Sequence, residues 1–316
     1  MTVLTHSSEP PFTTYNDYLQ RIFGGKTYKV VVSSGLTCPV RDGTISKSSC
    51  AFCDLRGSSS FHSKKGRGQE VGEQIRARLP SIRKRFNAEH FLAYFQSYTN
   101  TYSDAEYLRE IYEAALSESG IVGLCIGTRP DCLPDSVIDL IEEIAQKSYI
   151  SLELGVQSFE DPSLEWLTRG HSGQCSVDAL KKLQQRAPHV HTCVHLIFGS
   201  PTDSPEMAKN AALLLNSLGV KGVKLHQLMI LEHTELARRY RETPFPTLSL
   251  EAYAQIVGEF LSYLSPDIYI ERLCANASHP EECLAPEWSR QRWEPHNELR
   301  RILADVKQGA KTSSPT

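Results

Sequence analysis

An open βα barrel of six units, followed by a small C-terminal α/β extension, is the fold this sequence predicts. Three observations carry it. Six short apolar runs alternate with segments of helical periodicity, the order that builds a parallel sheet with helical crossovers. Polar and glycine-bearing stretches follow the apolar runs, where a βα barrel holds its functional loops. The length of 316 residues suits one barrel of about 200–250 residues with an appendage better than two equal domains.

The apolar runs are YKVVVSSG (28–35), HFLAYFQS (90–97), IVGLCIGT (121–128), SLELGVQS (151–158), VHTCVHLIFG (190–199) and VKLHQLMI (223–230). Each is short, rich in branched and aromatic residues, and bounded by turn formers, as strands covered on both faces are. Among the helical segments, SDAEYLREIYEAALSE sets Ser103 three residues before Glu106, the pattern of a capping box. LPDSVIDLIEEIAQK carries Pro134 near its start. SVDALKKLQQRA and SPEMAKNAALLLNSLG repeat the plan, the second ending at Gly219. Beyond residue 245 the rhythm changes to a helix (SLEAYAQIVGEFLSYL), a strand-like IYIERLCA, a Pro-rich stretch and a last helix (HNELRRILADVKQ). We therefore divide the chain into a core barrel, 1–245, and an extension, 246–316.

Net charge is −3, so no global field argues for nucleic acid or membrane. The charge is uneven, however. Lys64, Lys65, Arg67, Arg76, Arg78, Arg83, Lys84 and Arg85 face only Glu70 and Glu73 in the same stretch. This basic run is a candidate phosphate contact, which Arg290, Arg292, Arg300 and Arg301 would extend; a solvated helix face is the plainer reading. No run approaches the ~18 apolar residues of a membrane helix, and the N-terminal stretch lacks the apolar core of a secretion signal. The expectation is a cytoplasmic protein with reduced thiols, in which nine cysteines are no disulfide framework. Cys125, Cys175, Cys193 and Cys274 read as small buried hydrophobes. Cys132 and Cys283 stand in loop-like sequence.

Cys38, Cys50 and Cys53 differ. They stand as C-x11-C-x2-C in a loop of Gly, Ser, Lys and Asp after the first strand. A zinc site wants four ligands, and only His62 is at hand to complete it. A thioredoxin-like pair would leave Cys38 idle and precedes no helix start. Three buried structural cysteines fit poorly in so polar a loop. An iron–sulfur cluster is the fourth reading: three protein thiolates leave one iron with an open coordination position for a substrate or cofactor. Gly43, Ser46, Ser48 and Ser49 would let the backbone wrap such a cluster, and Phe52 would shield it from water.

These residues resemble a known family. Three cysteines with a terminal C-x-aromatic-C, after the first strand of a βα barrel, are similar to the radical S-adenosylmethionine superfamily. The stretch GLTCPVRDG (35–43) resembles a bacterial branch of it related to the catalytic subunit of Elongator. YFQSYTNTY, IGTRPDCLP, LELGVQS, RGH, HLIFGSP and ERL follow in the expected order, so the resemblance covers nearly the whole chain. It implies a partial TIM-like barrel and a [4Fe-4S] cluster on Cys38, Cys50 and Cys53. It also implies S-adenosylmethionine, chelated to the open iron through its amino and carboxyl groups. Reductive cleavage of that cofactor gives methionine and a 5′-deoxyadenosyl radical, which takes a hydrogen atom from substrate. An external flavodoxin- or ferredoxin-like electron donor is implied with it.

The resemblance also implies cofactor contacts. Backbone carbonyls of Gln96 and Ser97 replace the usual Gly-rich turn that meets the cofactor's amino group. Gln157 and Arg169 match cofactor-contacting positions of the haem-pathway radical enzymes, and Arg suits a bidentate grip on a carboxylate. His195 stands where those enzymes carry an acidic residue facing the adenosine. From the residues themselves, Glu153 lies on an otherwise apolar strand and has to be paired or functional. We expect it inside the barrel near the cofactor, paired with Arg129, unless Arg129 and Asp131 pin the TRPD loop instead. His226, Gln227 and Arg272 are candidate substrate contacts.

For the substrate, the resemblance implies tRNA, at the C5 substituent of the wobble uridine. One form is conversion of carboxymethylaminomethyl to aminomethyl uridine, with the basic run neutralising phosphates. Two other readings stay open: a radical enzyme on a small molecule such as a porphyrin precursor, and a non-catalytic iron–sulfur sensor that binds a partner protein.

Overall fold

The computed structural model describes residues 12–45, 49–54 and 68–312. In chain order its first half runs α1 (Tyr15–Phe23), β1 (Thr27–Val32), α2 (Gly68–Phe86), β2 (His90–Phe95), α3 (Ala105–Leu116), β3 (Ile121–Thr128), α4 (Asp135–Ala145) and β4 (Tyr149–Gln157). The second half runs α5 (Asp161–Trp166), α6 (Gly173–Arg186), β5 (His191–Phe198), α7 (Met207–Ser217), β6 (Gly222–Gln227), β7 (Ile230–Leu231) and α8 (Glu235–Glu242). It ends with α9 (Leu250–Tyr263), β8 (Tyr269–Arg272), β9 (Cys283–Ala285) and α10 (Glu294–Thr312).

Seven strands make one sheet in the order β1-β2-β3-β4-β5-β6-β8, every pair parallel. The sheet curls into an open half-barrel whose two edge strands do not meet, as the alternation of strands and helices predicts. The seventh strand is the IYIERLCA of the extension, which pairs with β6 across the boundary placed at 245. The sixth strand ends early. Gln227 turns its amide onto Ala275, accepting from the backbone N–H at 3.0 Å and donating to the carbonyl at 2.6 Å. Ile230 then leaves the barrel for a small antiparallel pair, β7 with β9. The cap of α3 is also one residue off the expected position. Asp104 accepts from the Tyr107 N–H at 2.8 Å, a shorter and charged cap than Ser103 would give.

Strand side chains alternate faces. Outward residues such as Val30, Phe91, Phe95, Ile126, Leu152 and Leu225 pack against Leu108, Ile138, Leu183, Leu215 and Phe260 of the surrounding helices in one buried core. The inward set is different. At the start of the strands, α1 plugs the barrel with Tyr15 and Tyr18, whose rings lie 5.0 and 4.2 Å from Tyr269. Above this aromatic base comes a charged layer, and above that a cavity of about 290 Å³ at the carboxyl ends of the strands.

The C-terminal half of the basic run does not lie at that mouth. Lys64, Lys65 and Arg67 are outside the described residues. Arg83, Lys84 and Arg85 occupy the last turn of α2, which runs antiparallel to the strands and so ends at their starting edge. Arg83 sits over the Phe91 ring at 5.1 Å, and Tyr28 stacks on Phe86. Nineteen residues of helix separate the two ends by about 28 Å. Arg76 is tied to Glu118, Arg301 to Glu298, and Arg290 to the Cys283 carbonyl. The run was expected on one RNA-facing surface; chain direction in a βαβ unit sends its C-terminal half to the closed end.

Candidate active site

The charged layer explains Glu153. Its carboxylate is fully buried and accepts from Lys29 Nζ (2.6 Å), Tyr94 Oη (2.8 Å), Lys224 Nζ (2.8 Å) and His195 Nε2 (2.9 Å). Glu271 completes the layer, 2.7 Å from Lys29 and 2.9 Å from Lys224. Six strands thus meet through Lys29, Tyr94, Glu153, His195, Lys224 and Glu271, with the two lysines and two glutamates in charge balance. Burial acts to protonate Glu153, but Lys224 and Lys29 outweigh it and hold the carboxyl well below the usual carboxylate range. His195 is pushed down by burial and by Lys224, so it stays neutral and donates Nε2–H to Glu153. The expected partner, Arg129, is elsewhere. Its guanidinium grips Asp131 through Nε (2.8 Å) and Nη2 (2.7 Å), the loop-pinning alternative. Lys29, Lys224 and Glu271 escaped the sequence reading. A lysine at the centre of an apolar run was the available signal, since such a charge needs a buried partner.

The cysteine loop folds over this layer. Cys38 and Cys50 are buried with Val40, against Phe52, Cys53 and Tyr98. Ala51 pins the Cys50–Cys53 turn from both sides: its N–H donates to Leu167 O at 2.9 Å, and its carbonyl accepts from Leu236 N at 2.8 Å. The C-x2-C segment is therefore held between the end of α5 and the start of α8. Burial and the neighbouring Cys50 push the Cys53 thiol up to about 12. Three guanidiniums approach the sulfurs. Arg169 Nη1 is 3.3 Å and Arg129 Nη1 3.7 Å from Cys50 Sγ, while Arg41 Nη1 is 3.8 Å from Cys53 Sγ. Among the described residues, the ligand atoms within 4.8 Å of one another belong to His279, Glu281 and Glu282, not to the three thiols. At least one pair of the three sulfurs is thus farther apart than 4.8 Å, whereas the metal–sulfur bonds of about 2.3 Å in one tetrahedral ion bring all its sulfurs closer together. A multi-iron cluster suits such a set, and the arginines suit its negative charge.

Arg169 is 6% exposed. Its Nη2 donates to Gly155 O at 2.6 Å, while its Nε is buried with no partner among the described residues. A Cβ at position 155 would lie 2.9 Å from Arg169 Nη2 and 2.8 Å from Gln157 Nε2, so any larger residue there would push these two side-chain ends aside. Gln157 closes β4 at φ 71°, beyond a register shift that breaks the ladder. Gln96, Arg129, Glu153, Gln157, Arg169 and His195 all line the one cavity with the three cysteines, and His226, Gln227 and Arg272 line its other wall. Ser97 does not line it. Its carbonyl accepts from Asn100 Nδ2 at 3.0 Å, and the same amide holds Phe95 O and Gly127 O. Asn100, fully buried, organises this turn, and nothing in the sequence singled it out. Gln227 is a structural residue, since its amide is spent on Ala275 and Ser289.

This architecture defines a radical enzyme barrel, and the sequence comparisons agree. The family model described as the radical SAM superfamily matches residues 38–215, and that of the radical SAM C-terminal domain matches residues 220–305. The chain belongs to the radical SAM superfamily, whose enzymes use a [4Fe-4S] cluster and S-adenosylmethionine. Protein YhcC of Escherichia coli strain K12 is 35% identical over 286 residues, covering 90% of each chain. A tRNA uridine(34) acetyltransferase of Dehalococcoides mccartyi is 29% identical over 160 residues, 48% of this chain and 33% of that one. Among solved structures, archaeal Methanocaldococcus infernus Elp3 with an N-terminal deletion superposes with a TM-score of 0.64 at 18% identity. The match covers 90% of this chain and 63% of Elp3, and it shows a shared fold. No helix among the described residues is long and apolar enough to cross a membrane.

Proposed function

We propose that this protein is a tRNA-modifying radical enzyme acting on the side chain of the wobble uridine, with Cys38, Cys50 and Cys53 as its cluster ligands. The observation that carries the reading is the set of three thiols in one apolar nest, with Arg129 and Arg169 against the Cys50 sulfur, lining a cavity at the strand ends. When bound, the cluster and S-adenosylmethionine supply hydrogen-atom abstraction from an unactivated carbon. The chain's own residues position and shield. Phe52 and Tyr98 cover the nest, and Ala51 fixes its register. The buried Nε of Arg169 lacks an acceptor that a cofactor carboxylate would provide. Gln96, after β2, and Gln157, at the end of β4, line the cavity on either side of the β3 end and stand ready for the cofactor's polar groups. In the division at 245, the extension is not a separate lobe of the chemistry, because Arg272, Asn276 and His279 come from it into the cavity wall. The likeness to a tRNA uridine(34) acetyltransferase over 160 residues supports the tRNA substrate.

Three measurements test this. Anaerobic reconstitution should give a brown protein with about four irons per chain, and the reduced protein should release 5′-deoxyadenosine from S-adenosylmethionine. Mass spectrometry of tRNA nucleosides from a deletion strain should show a wobble-uridine side chain arrested before its final form. A colourless protein with stoichiometric zinc on these thiols refutes the first part; an unaltered nucleoside profile refutes the second.

A further inference from the structure

The cavity has two walls. On the side of β1 to β4 stand the cysteine nest and its arginines. The other side is built by β5, β6 and β8, with His195, His226 and Arg272 at their ends. The cations that line the cavity are nearly all engaged. Arg129 holds Asp131, Lys224 holds Glu153 and Glu271, and Arg169 is fastened to Gly155 O and Cys50. Arg41 donates to Asp54 O at 2.6 Å and lies over the Tyr98 ring. Arg272 differs. Its Nε makes one long bond to Leu225 O, at 3.3 Å, and no carboxylate pairs with it among the described residues. Glu282 also lines the cavity without forming an ion pair to it. A half-buried guanidinium with free nitrogens on a cavity wall is a place for an anion, and its planar fork matches a carboxylate.

His226 beside it is complementary in another sense. Its Nδ1 is bonded to the Gln227 carbonyl, which can only accept, so Nδ1 carries the proton. Nε2 is then an acceptor. Burial, with Arg272 next, pushes His226 down to about 3, so the ring stays neutral and keeps that tautomer. A donor fork and a neutral acceptor thus stand side by side. That pair recognises a ligand with an N–H next to a carboxylate, as in an N-substituted glycine.

We propose that Arg272 and His226 form a substrate subsite for an amino-carboxylate group, Arg272 holding the carboxylate and His226 Nε2 accepting from the amine. The proposal rests on the wobble-uridine reading, in which the side chain to be shortened ends in carboxymethylaminomethyl. The same chemistry is present in the methionine end of the cofactor. The cofactor's amino-carboxylate belongs, however, beside the cysteine nest and Arg169, on the opposite wall.

The test uses the reconstituted full chain under anaerobic conditions. Three probes are titrated by fluorescence: an anticodon stem-loop with 5-carboxymethylaminomethyluridine at the wobble position, the same stem-loop with that carboxylate capped as an amide, and S-adenosylmethionine. The wild type should favour the acid over the amide by about tenfold to a hundredfold, the usual worth of a charged hydrogen bond. Arg272→Gln should abolish the preference and Arg272→Lys should keep part of it, both with unchanged S-adenosylmethionine affinity, which also reports an intact fold. Equal binding of acid and amide by the wild type overturns the subsite and leaves the RNA reading standing. Loss of S-adenosylmethionine binding in Arg272→Lys, with iron content unchanged, assigns the guanidinium to the cofactor and overturns it too. If neither stem-loop binds, the free nucleoside acid and its amide decide. An Arg272-dependent preference then keeps the subsite and removes the RNA reading, and no preference ends both.

Discussion

Replacing Glu153 by Gln should be the most destabilising isosteric change in the barrel interior. The substitution keeps the shape and removes one charge from a layer of four. Glu153 now accepts four hydrogen bonds, two from lysines. The amide has one oxygen for those donors, and its NH2 must face another of them. Lys29 and Lys224 would be left to share Glu271, so one buried positive charge is uncompensated. Removing one partner of a buried ion pair costs about 3–5 kcal/mol. For 316 residues the unfolding entropy near 60 °C is about 0.66 kcal/mol/K, so Tm should fall by roughly 5–8 °C. Anaerobic thermal unfolding followed by circular dichroism reads this directly. Lys224→Met alone should also destabilise, leaving an excess negative charge. In the double variant Lys29 and Glu271 remain as a balanced pair, so its loss should be well below the sum of the singles. A fall of less than 1 °C in Glu153→Gln, or strict additivity in the double, would refute the view that charge balance holds this layer together.

Cys38→Ala, Cys50→Ala and Cys53→Ala should each lose the iron on reconstitution, whereas Cys125→Ala, buried near the aromatic base, should keep it; elemental analysis decides. Arg169→Ala should weaken S-adenosylmethionine binding by roughly 1.5–3 kcal/mol, and an unchanged Kd by calorimetry would withdraw it from the site. Reversing the charge of Arg83, Lys84 and Arg85 together should leave tRNA affinity and its salt slope unaltered, because they lie at the closed end; a slope shallower by about two to three units would place RNA there. Stability should decline as pH falls from about 6.5 toward 4. Burial lowers His226 to about 3 and His191 to about 4, so each takes up a proton only on unfolding in that range. The slope is about 1.4 kcal/mol per pH unit for each such proton, and His226→Gln should remove nearly one proton's worth of it.

The sheet was legible because strand period and crossover helices are local properties. Six of seven strands could be read from apolar runs alone, and the seventh, β8, was visible as strand-like sequence but not as a member of the same sheet. Pairing partners are set by long-range geometry, which four residues of sequence do not encode. The cysteine spacing was legible for the opposite reason: three thiols in a polar loop make little sense as packing. The partner of Glu153 was not. Lys29 and Lys224 each sit in a short strand that carries other polar residues, where a lysine looks like an exposed edge position, and only the curl of the sheet turns them inward to meet a glutamate 124 and 71 residues away. Arg272 reads from the sequence as a candidate substrate contact, but that no carboxylate pairs with it among the described residues is visible only once the neighbours are placed.

An open barrel raises a packing question that the charged layer answers. A closed barrel fills its interior with layers of branched side chains from alternate strands. Here β1 and β8 do not pair, so an apolar filling would be exposed through the gap. The lysines solve this from both edges. Lys29 on β1 and Lys224 beside β8 reach Glu153 at the middle of the sheet, and Glu271 on β8 reaches Lys29 across the opening. Ion pairs do across the gap what backbone hydrogen bonds would do in a closed sheet. They also keep the level beneath the cavity polar, fixed and neutral overall, so that, among the described residues, Arg169, whose Nε has no partner, and Arg272 on the facing wall present unused nitrogens to the cavity above it. On this reasoning the layer sets where the two arginines stand, and its disruption should disturb ligand binding only to the extent that it disturbs the sheet.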